Sequence, residues 1–270
     1  MEVDLRGLVQ RVGKYRRATF TAPRIDPTAA QRTDLLRIYM RLVRGWQERF
    51  RDRILPAYER ALSELVTDDA RDLQFEIGLS ERQMAQVAAA AGLSVDDWIK
   101  ATEEWHRRRF AQAFNPTGVN IGTLLDRGDV TATLEAVLGE NTALIRSLND
   151  QMRNDISGEV FRALQNRTTA RDLARAVRKR AGVGQSRAEL IAADQLQKLT
   201  GALDEQRQRQ VGIGKFEWAH SGKIHFRPVH KARNGNKYAW DDPEIKGDKP
   251  GQAIRCGCRA RAVLEIDEDD

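Results

Sequence analysis

Cysteine, histidine and long apolar runs are scarce in this chain. It has 2 cysteines and 4 histidines among 270 residues, and a disulfide across the single glycine between Cys256 and Cys258 would be strained. No apolar run approaches the ~18 residues that a membrane span needs, and the N-terminus lacks the apolar core of a secretory signal. We therefore expect a chain made in a cytoplasm, with no membrane partner and with thiols or thiolate ligands rather than disulfides.

Aromatic residues are also few, at 6%, whereas charged residues make up 31%. The hydrophobic share of 41% is enough for a core but not for a thick one, which favours an elongated, helix-rich molecule. The formal charge of +6 is modest for this length and does not by itself identify a nucleic-acid binder. Arginine is concentrated in the first 60 residues, and residues 267–270 are all acidic.

The N-terminal part is predicted to be an arm followed by a helical body. Residues 1–25 mix Arg, Gly and Thr without a sustained period, which predicts a flexible basic arm. Residues 26–211 carry apolar side chains mostly at helical spacing, and we expect this body to dock on a protein partner. The cations of the arm that we expect to bind phosphates or an acidic protein surface are Arg11, Lys14, Arg16 and Arg17.

Beyond residue 211 the pattern changes to short alternating segments, 215–220 and 259–265, separated by Gly and Pro turns. This change predicts a compact C-terminal domain over 212–266, followed by an acidic tail at 267–270. The predicted fold class is α+β, with an elongated and mostly helical body and a small C-terminal α+β domain.

Proline and glycine mark the expected breaks in the helical body. A long amphipathic helix that starts near Pro27 is expected to kink at Pro56. His106 stands beside three arginines and is expected to lie on the surface. Helices are expected to end or begin at three glycines, Gly92, Gly182 and Gly184.

Three of the four histidines, both cysteines and two tryptophans fall within about 40 residues near the C-terminus. One interpretation is a structural zinc site, in which His230, Cys256 and Cys258 are joined by His225 or His220 as the fourth ligand. A metal would stabilise a domain whose core is small.

A second interpretation, which we adopt, needs no cofactor. In it Arg227 and His230 form hydrogen bonds that hold the turn at 234–235 against a strand, and the cysteines are small buried groups. A third interpretation is a metal-dependent nuclease built from the residues His220, His225, Asp241 and Asp242. The chain lacks a paired-histidine motif, and thiolates are poor magnesium ligands, which disfavours that nuclease.

A series of short motifs runs in order along the C-terminal part of the chain. They are Ser186–Ala192, Phe216–Trp218, Arg227–His230, Asn234–Gly235, Trp240–Pro243, Pro250–Gly251 and Cys256–Arg259. Their order and spacing resemble the phage Mu F-like family of minor head proteins, which are phage head morphogenesis proteins. Two positions depart from the family pattern: residues 193–195 read Ala-Asp-Gln instead of Arg-Thr-Glu, and His225 stands where Asp is frequent.

The resemblance implies a virion protein of the head interior, assembled in the host cytoplasm. It implies binding to the portal protein oligomer and a part in procapsid assembly and in DNA packaging or ejection. Further partners that it implies are the major capsid or scaffold protein and packaged double-stranded DNA. It implies no enzymatic step. The alternatives left open are the nuclease that uses the C-terminal histidine cluster, and a plain DNA-binding protein.

Overall fold

The computed structural model describes residues 4–63, 67–125 and 128–266. Long helices and a small antiparallel sheet confirm the predicted α+β class with a mostly helical body. Across the described ranges, no helix combines the length and apolar character that a membrane crossing requires. The predicted acidic tail, 267–270, lies outside the described residues. The elements are α1 (Leu5–Val12), β1 (Thr19–Thr21), α2 (Ala29–Arg49), α3 (Leu55–Ser63), α4 (Thr67–Ala113), α5 (Thr131–Gln165), α6 (Ala170–Gln210), β2 (Lys215–Ala219), α7 (Pro228–Ala232), β3 (Lys237–Ala239) and β4 (Arg259–Glu265).

The chain forms two compact units, each assembled from separate segments. The first unit comprises Met1–Arg32, Trp98–Val137 and Ala193–Asp270, and the second comprises Thr33–Asp97 and Leu138–Ala192. This division differs from the expected succession of arm, body and C-terminal domain. The reason is that the long helices α4 and α6 each contribute residues to both units.

The sheet of the first unit has the strand order β1-β4-β2-β3, with antiparallel neighbours. Strands β2 and β4 match the two alternating segments of the sequence, whereas β1 and β3 were not predicted. The register sets Phe20 opposite Leu264, and Phe216 opposite both Ala262 and Tyr238. These paired side chains are all buried. Phe20, Ala262 and Leu264 belong to one core cluster, and Phe216 and Tyr238 belong to a second.

The N-terminal segment is folded, which differs from the flexible arm that was expected. Leu5 and Val9 of α1 lie one helical turn apart and are both buried, as is Phe20 of β1. They share a core cluster with Ala262 and Leu264 of β4. The expected flexibility fails because this short segment buries apolar side chains against the other end of the chain.

In the second unit, the apolar stripe predicted for the first long helix is buried. Tyr39 and Trp46 of α2 are both fully buried. The Tyr39 hydroxyl donates to Oδ1 of Asn141 at 2.8 Å, and the Trp46 indole donates to Oδ1 of Asn149 at 2.9 Å. These two hydrogen bonds satisfy the polar atoms that the aromatic side chains carry into the core and fix α2 against α5.

The helical pattern changes just before Pro56, the residue at which a kink was expected. Residues Phe50–Ile54 form a π-helical segment, and the N–H of Leu55 donates to the carbonyl of Phe50. A proline inside a helix removes a donor and crowds the preceding turn, and a π segment is one way to accommodate it.

The predicted helix ends at glycines are wrong, because α4 runs through Gly92 and α6 runs through Gly182 and Gly184. A Cβ atom at Gly92 or Gly182 would meet nothing within 4 Å, so neither position needs a glycine for packing. At Gly184 a Cβ atom would collide with Met152. A helix tolerates each glycine at a cost of about 1 kcal/mol, which burial of the flanking apolar residues outweighs.

Candidate functional site

Three residues with metal-binding side chains meet in the C-terminal part of the first unit. His230 lies in α7, which begins at Pro228, where the missing amide proton is harmless. Cys256 and Cys258 flank Gly257 in the loop that leads into β4. The three side chains are buried, and their ligand atoms lie within 4.8 Å of one another. The structure thus brings together three of the four residues of the zinc interpretation.

The imidazole of His230 faces both sulfur atoms. Its Nδ1 lies 3.5 Å from Sγ of Cys256 and 3.8 Å from Sγ of Cys258. Its Nε2 lies 3.0 Å from each carboxylate oxygen of Asp248, and Arg233 donates to the same carboxylate at 2.8 Å. When Nε2–H is donated to Asp248, the lone pair of Nδ1 points toward the sulfur atoms.

Helix α6 fixes the loop that carries the two cysteines. The Asp194 carboxylate accepts a hydrogen bond from the backbone N–H of Arg255 at 2.7 Å. Gly251 has a φ of 84°, and a Cβ atom there would come within 2.9 Å of the carbonyl oxygen of Gln197. Only glycine fits this close approach without strain. The hydrogen bond from Arg255 gives Asp194 a structural role. Asp194 lies within 193–195, where the sequence departs from the family pattern.

The two thiol groups form a hydrogen bond with each other, which shifts their pKa values in opposite directions. The hydrogen bond between them lowers the pKa of Cys256, and N–H groups of Gly251 and Cys258 that point at its sulfur act in the same direction. The same thiol–thiol bond, together with burial, raises the pKa of Cys258. The thiolate therefore forms more readily on Cys256 than on Cys258.

His225 lies outside the group of three ligands. Its side chain is exposed, and it is not among the residues whose ligand atoms lie within 4.8 Å of one another. His220 is outside that group as well, and its Nδ1 accepts a hydrogen bond from the backbone N–H of Gly222 at 3.2 Å. Neither histidine is placed as the fourth ligand.

Arg227 and His230 do not hold the turn at 234–235, which corrects the cofactor-free interpretation. The guanidinium of Arg227 donates to the carbonyl of Ile254 at 3.1 Å, so it joins two loops instead. The turn is held by its own side chain, because Oδ1 of Asn234 accepts a hydrogen bond from the backbone N–H of His220 at 2.8 Å.

The structure does not gather the residues of the nuclease interpretation. Among the described residues, His230, Cys256 and Cys258 are the one group of three or more candidate ligands close enough to hold a metal ion. The polar residues His220, His225, Asp241 and Asp242 are not part of it. Asp241 instead forms an ion pair with Arg209 of α6 at 2.6 Å.

The cations of the N-terminal segment are exposed on a folded surface. Arg11 lies in the last turn of α1 and donates to the carbonyl of Gly7 at 3.2 Å. Lys14, Arg16 and Arg17 lie in the segment between α1 and β1. The two elements that flank this segment, α1 and β1, both contribute buried side chains to the core of the first unit.

A buried polar pair in the first unit was not predicted. His106, which the sequence placed on the surface, is fully buried, and its Nε2 lies 2.8 Å from Oδ1 of Asp204. One turn earlier on α4, Glu103 forms a buried ion pair with Arg207 of α6. A sequence signal for its burial exists, because His106 lies four residues before Phe110 and therefore on the same face of the helix. The prediction was wrong because it followed the neighbouring arginines, which are typical of a solvent-facing position.

An exposed surface that combines apolar and basic side chains adjoins the cysteine loop. We call it the basic apolar face. Its loops are joined by the Arg227–Ile254 hydrogen bond and by a hydrogen bond from Lys223 Nζ to the carbonyl of Arg255 at 3.1 Å. Its exposed members are Lys223, Ile224, Phe226, Arg227, Val229, Lys231, Ile254 and Arg255. The sequence from 219 to 237 contains no acidic residue, so this face is positively charged.

Comparison with known proteins supports the family resemblance over part of the chain. Residues 154–261 match a family model described as Phage Mu protein F like protein. An uncharacterized protein from Haemophilus influenzae (strain ATCC 51907 / DSM 11121 / KW20 / Rd) is 29% identical over 155 residues. That alignment covers 57% of this chain and spans about a third of the relative's length, 35%. No solved structure matches the chain.

Proposed function

We propose that this chain, whose residues 154–261 are similar to the Mu F-like family, is a minor head protein in the interior of a tailed phage head. In this role it binds the portal protein oligomer and takes part in procapsid assembly and in DNA packaging or ejection. The major capsid or scaffold protein is a further candidate partner. Assembly takes place in the host cytoplasm, and the role needs no enzymatic step.

The family match is the observation that carries this proposal, because it spans all of α6, strands β2 and β3, the cysteine loop and the start of β4. The basic apolar face lies within the matched residues and supplies a surface for docking. Ile224 and Ile254 are 90% and 66% exposed, and each has a basic residue next to it in the sequence, Lys223 and Arg255. Such a surface fits a partner segment that combines apolar side chains with acidic ones, and we assign the portal protein to it.

Charge substitutions on this face test portal binding. We expect Ile224→Glu combined with Ile254→Glu to weaken binding at least about 10-fold, because two apolar anchors are lost and two like charges meet the acidic partner. Retention of the chain by immobilised portal oligomer from the same phage measures the effect. Leu93→Glu is the matched control, since Leu93 is 74% exposed on α4 and lies outside the face.

Two results would contradict this assignment. One is a wild-type chain that does not bind the portal, and the other is a double variant that binds as tightly as the control. Reproducible cleavage of plasmid DNA with magnesium or manganese, lost in His230→Ala, would instead favour the nuclease.

The cations near α1 are proposed to contact packaged double-stranded DNA. Arg11, Lys14, Arg16 and Arg17 are exposed and closely spaced along the chain, and each neutralised phosphate releases bound counterions. Log affinity decreases as log salt concentration rises. We expect this decrease to become less steep by about 4 when all four are replaced by alanine, at about 1 for each phosphate contact. Fluorescence anisotropy with duplex DNA over a salt series measures this slope.

A control with the same change in charge comes from α6. It replaces three arginines and one lysine that are exposed in the second unit, namely Arg171, Arg175, Arg178 and Lys179. The assignment fails if the two sets lower the slope equally, because the effect would then follow from net charge alone. It also fails if the wild-type chain does not bind duplex DNA.

A further inference from the structure

We propose that His230, Cys256 and Cys258 bind one zinc ion through Nδ1 and the two Sγ atoms. An exchangeable donor, such as water, occupies the fourth position. The site does not depend on the proposed role in the phage head.

The distances between the ligand atoms fit a tetrahedral ion. With Zn–S bonds of about 2.3 Å and Zn–N bonds of about 2.0–2.1 Å, tetrahedral geometry separates a sulfur from a nitrogen by about 3.5 Å. Nδ1 of His230 lies 3.5 Å from Sγ of Cys256 and 3.8 Å from Sγ of Cys258. These two separations therefore match a shared zinc ion to within a few tenths of an ångström.

The surroundings of His230 are those of a metal ligand. A metal-bound histidine usually donates its second N–H to a carboxylate, which fixes the tautomer and orients the ring. Asp248 occupies this position, with both oxygens 3.0 Å from Nε2. Arg233, which is buried, holds the carboxylate in place at 2.8 Å. The Nδ1 atom that remains faces both sulfur atoms, so it is placed to bind the same ion as the cysteines.

The sulfur atoms are also held in positions suited to a metal. The positive φ of Gly251 and of Arg255, together with the hydrogen bond from Arg255 to Asp194, fixes this loop.

The donor set selects zinc over magnesium or calcium. Thiolate and imidazole are soft or intermediate ligands, whereas magnesium and calcium prefer oxygen. Zinc binding would connect α7 to the loop before β4, which are otherwise joined by few hydrogen bonds among the described residues. The ion would therefore stabilise this part of the fold.

Metal analysis and cobalt spectroscopy on the full-length chain test the site. Protein purified without chelator is expected to contain one zinc per chain, and chelator is expected to lower its melting temperature. Cobalt added to the metal-free protein is expected to give thiolate charge-transfer bands and intense visible bands typical of a tetrahedral ion. Both measurements use the wild-type chain, so they do not depend on the folding of a variant.

Variants separate the ligands from their neighbours. Cys258→Ser is expected to abolish the cobalt bands, and Asp248→Asn to weaken zinc binding about 10–100-fold through loss of the carboxylate on His230. Asp241→Asn and His225→Ala are controls that keep the wild-type affinity. A wild-type chain with no stoichiometric zinc and no cobalt bands would overturn the proposal. Loss of binding in His225→Ala would overturn the three-ligand assignment.

Discussion

Replacing Arg207 by methionine is expected to lower the free energy of unfolding by about 3–5 kcal/mol. Arg207 of α6 and Glu103 of α4 form an ion pair in which both side chains are almost fully buried. The substitution leaves the Glu103 carboxylate in the core without its guanidinium, and a buried charge that loses its counter-ion is costly. Urea unfolding followed by circular dichroism measures the loss.

Arg209→Met is the matched control, because Arg209 lies two residues further along the same helix. Its partner Asp241 is 83% exposed, so we expect a loss below about 1 kcal/mol. Adding Glu103→Met to Arg207→Met is expected to restore much of the stability, since both members of the ion pair are then replaced by apolar side chains. Equal losses in Arg207→Met and Arg209→Met would show that burial of an ion pair does not determine how much it contributes to the free energy of unfolding.

Replacing Phe216 by alanine is expected to lower the free energy of unfolding by about 3–5 kcal/mol as well. Phe216 lies in β2, is fully buried, and packs its ring 4.3 Å from that of Trp240 and 6.1 Å from that of Tyr238, centroid to centroid. Removing the ring leaves a cavity between strands that cannot close without breaking their register. Urea unfolding monitored by tryptophan fluorescence reports this change.

Phe226→Ala makes the same chemical change at a position that is 43% exposed. Its expected cost is below about 1 kcal/mol, although its ring also contacts Lys231. A loss of similar size in both variants would mean that the cluster around Phe216 is loosely packed.

The fold class and two of the strands could be predicted because their signals are local. Alternating residues at 215–219 and 259–265 mark β2 and β4, and helical spacing marks the apolar face of α2. Strand β1 has three residues and owes its structure to pairing with β4 at the other end of the sequence. Pairing between two strands so far apart in the sequence leaves no periodic pattern at Thr19–Thr21. The same is true of α1, in which two buried side chains, Leu5 and Val9, are too few to show a period.

The candidate site was predictable in part. Cysteine and histidine are rare in this chain, so their concentration near the C-terminus pointed to His230, Cys256 and Cys258. Asp248 was missed because a single aspartate in a Gly-Pro-rich loop gives no spacing signal. His225 was included because sequence shows proximity along the chain, but its side chain is exposed.

Strand β4 is the last strand in the sequence, yet it lies between β1 and β2 in the sheet. As the chain leaves the ribosome, β1 emerges early and has no strand to pair with until β4 follows. Contacts of such long sequence separation form slowly, since a large loop must close first. The backbone of β1 therefore has no strand partner until β4 has been synthesised. The first unit, with its cysteine loop and basic apolar face, is complete only after synthesis has passed β4.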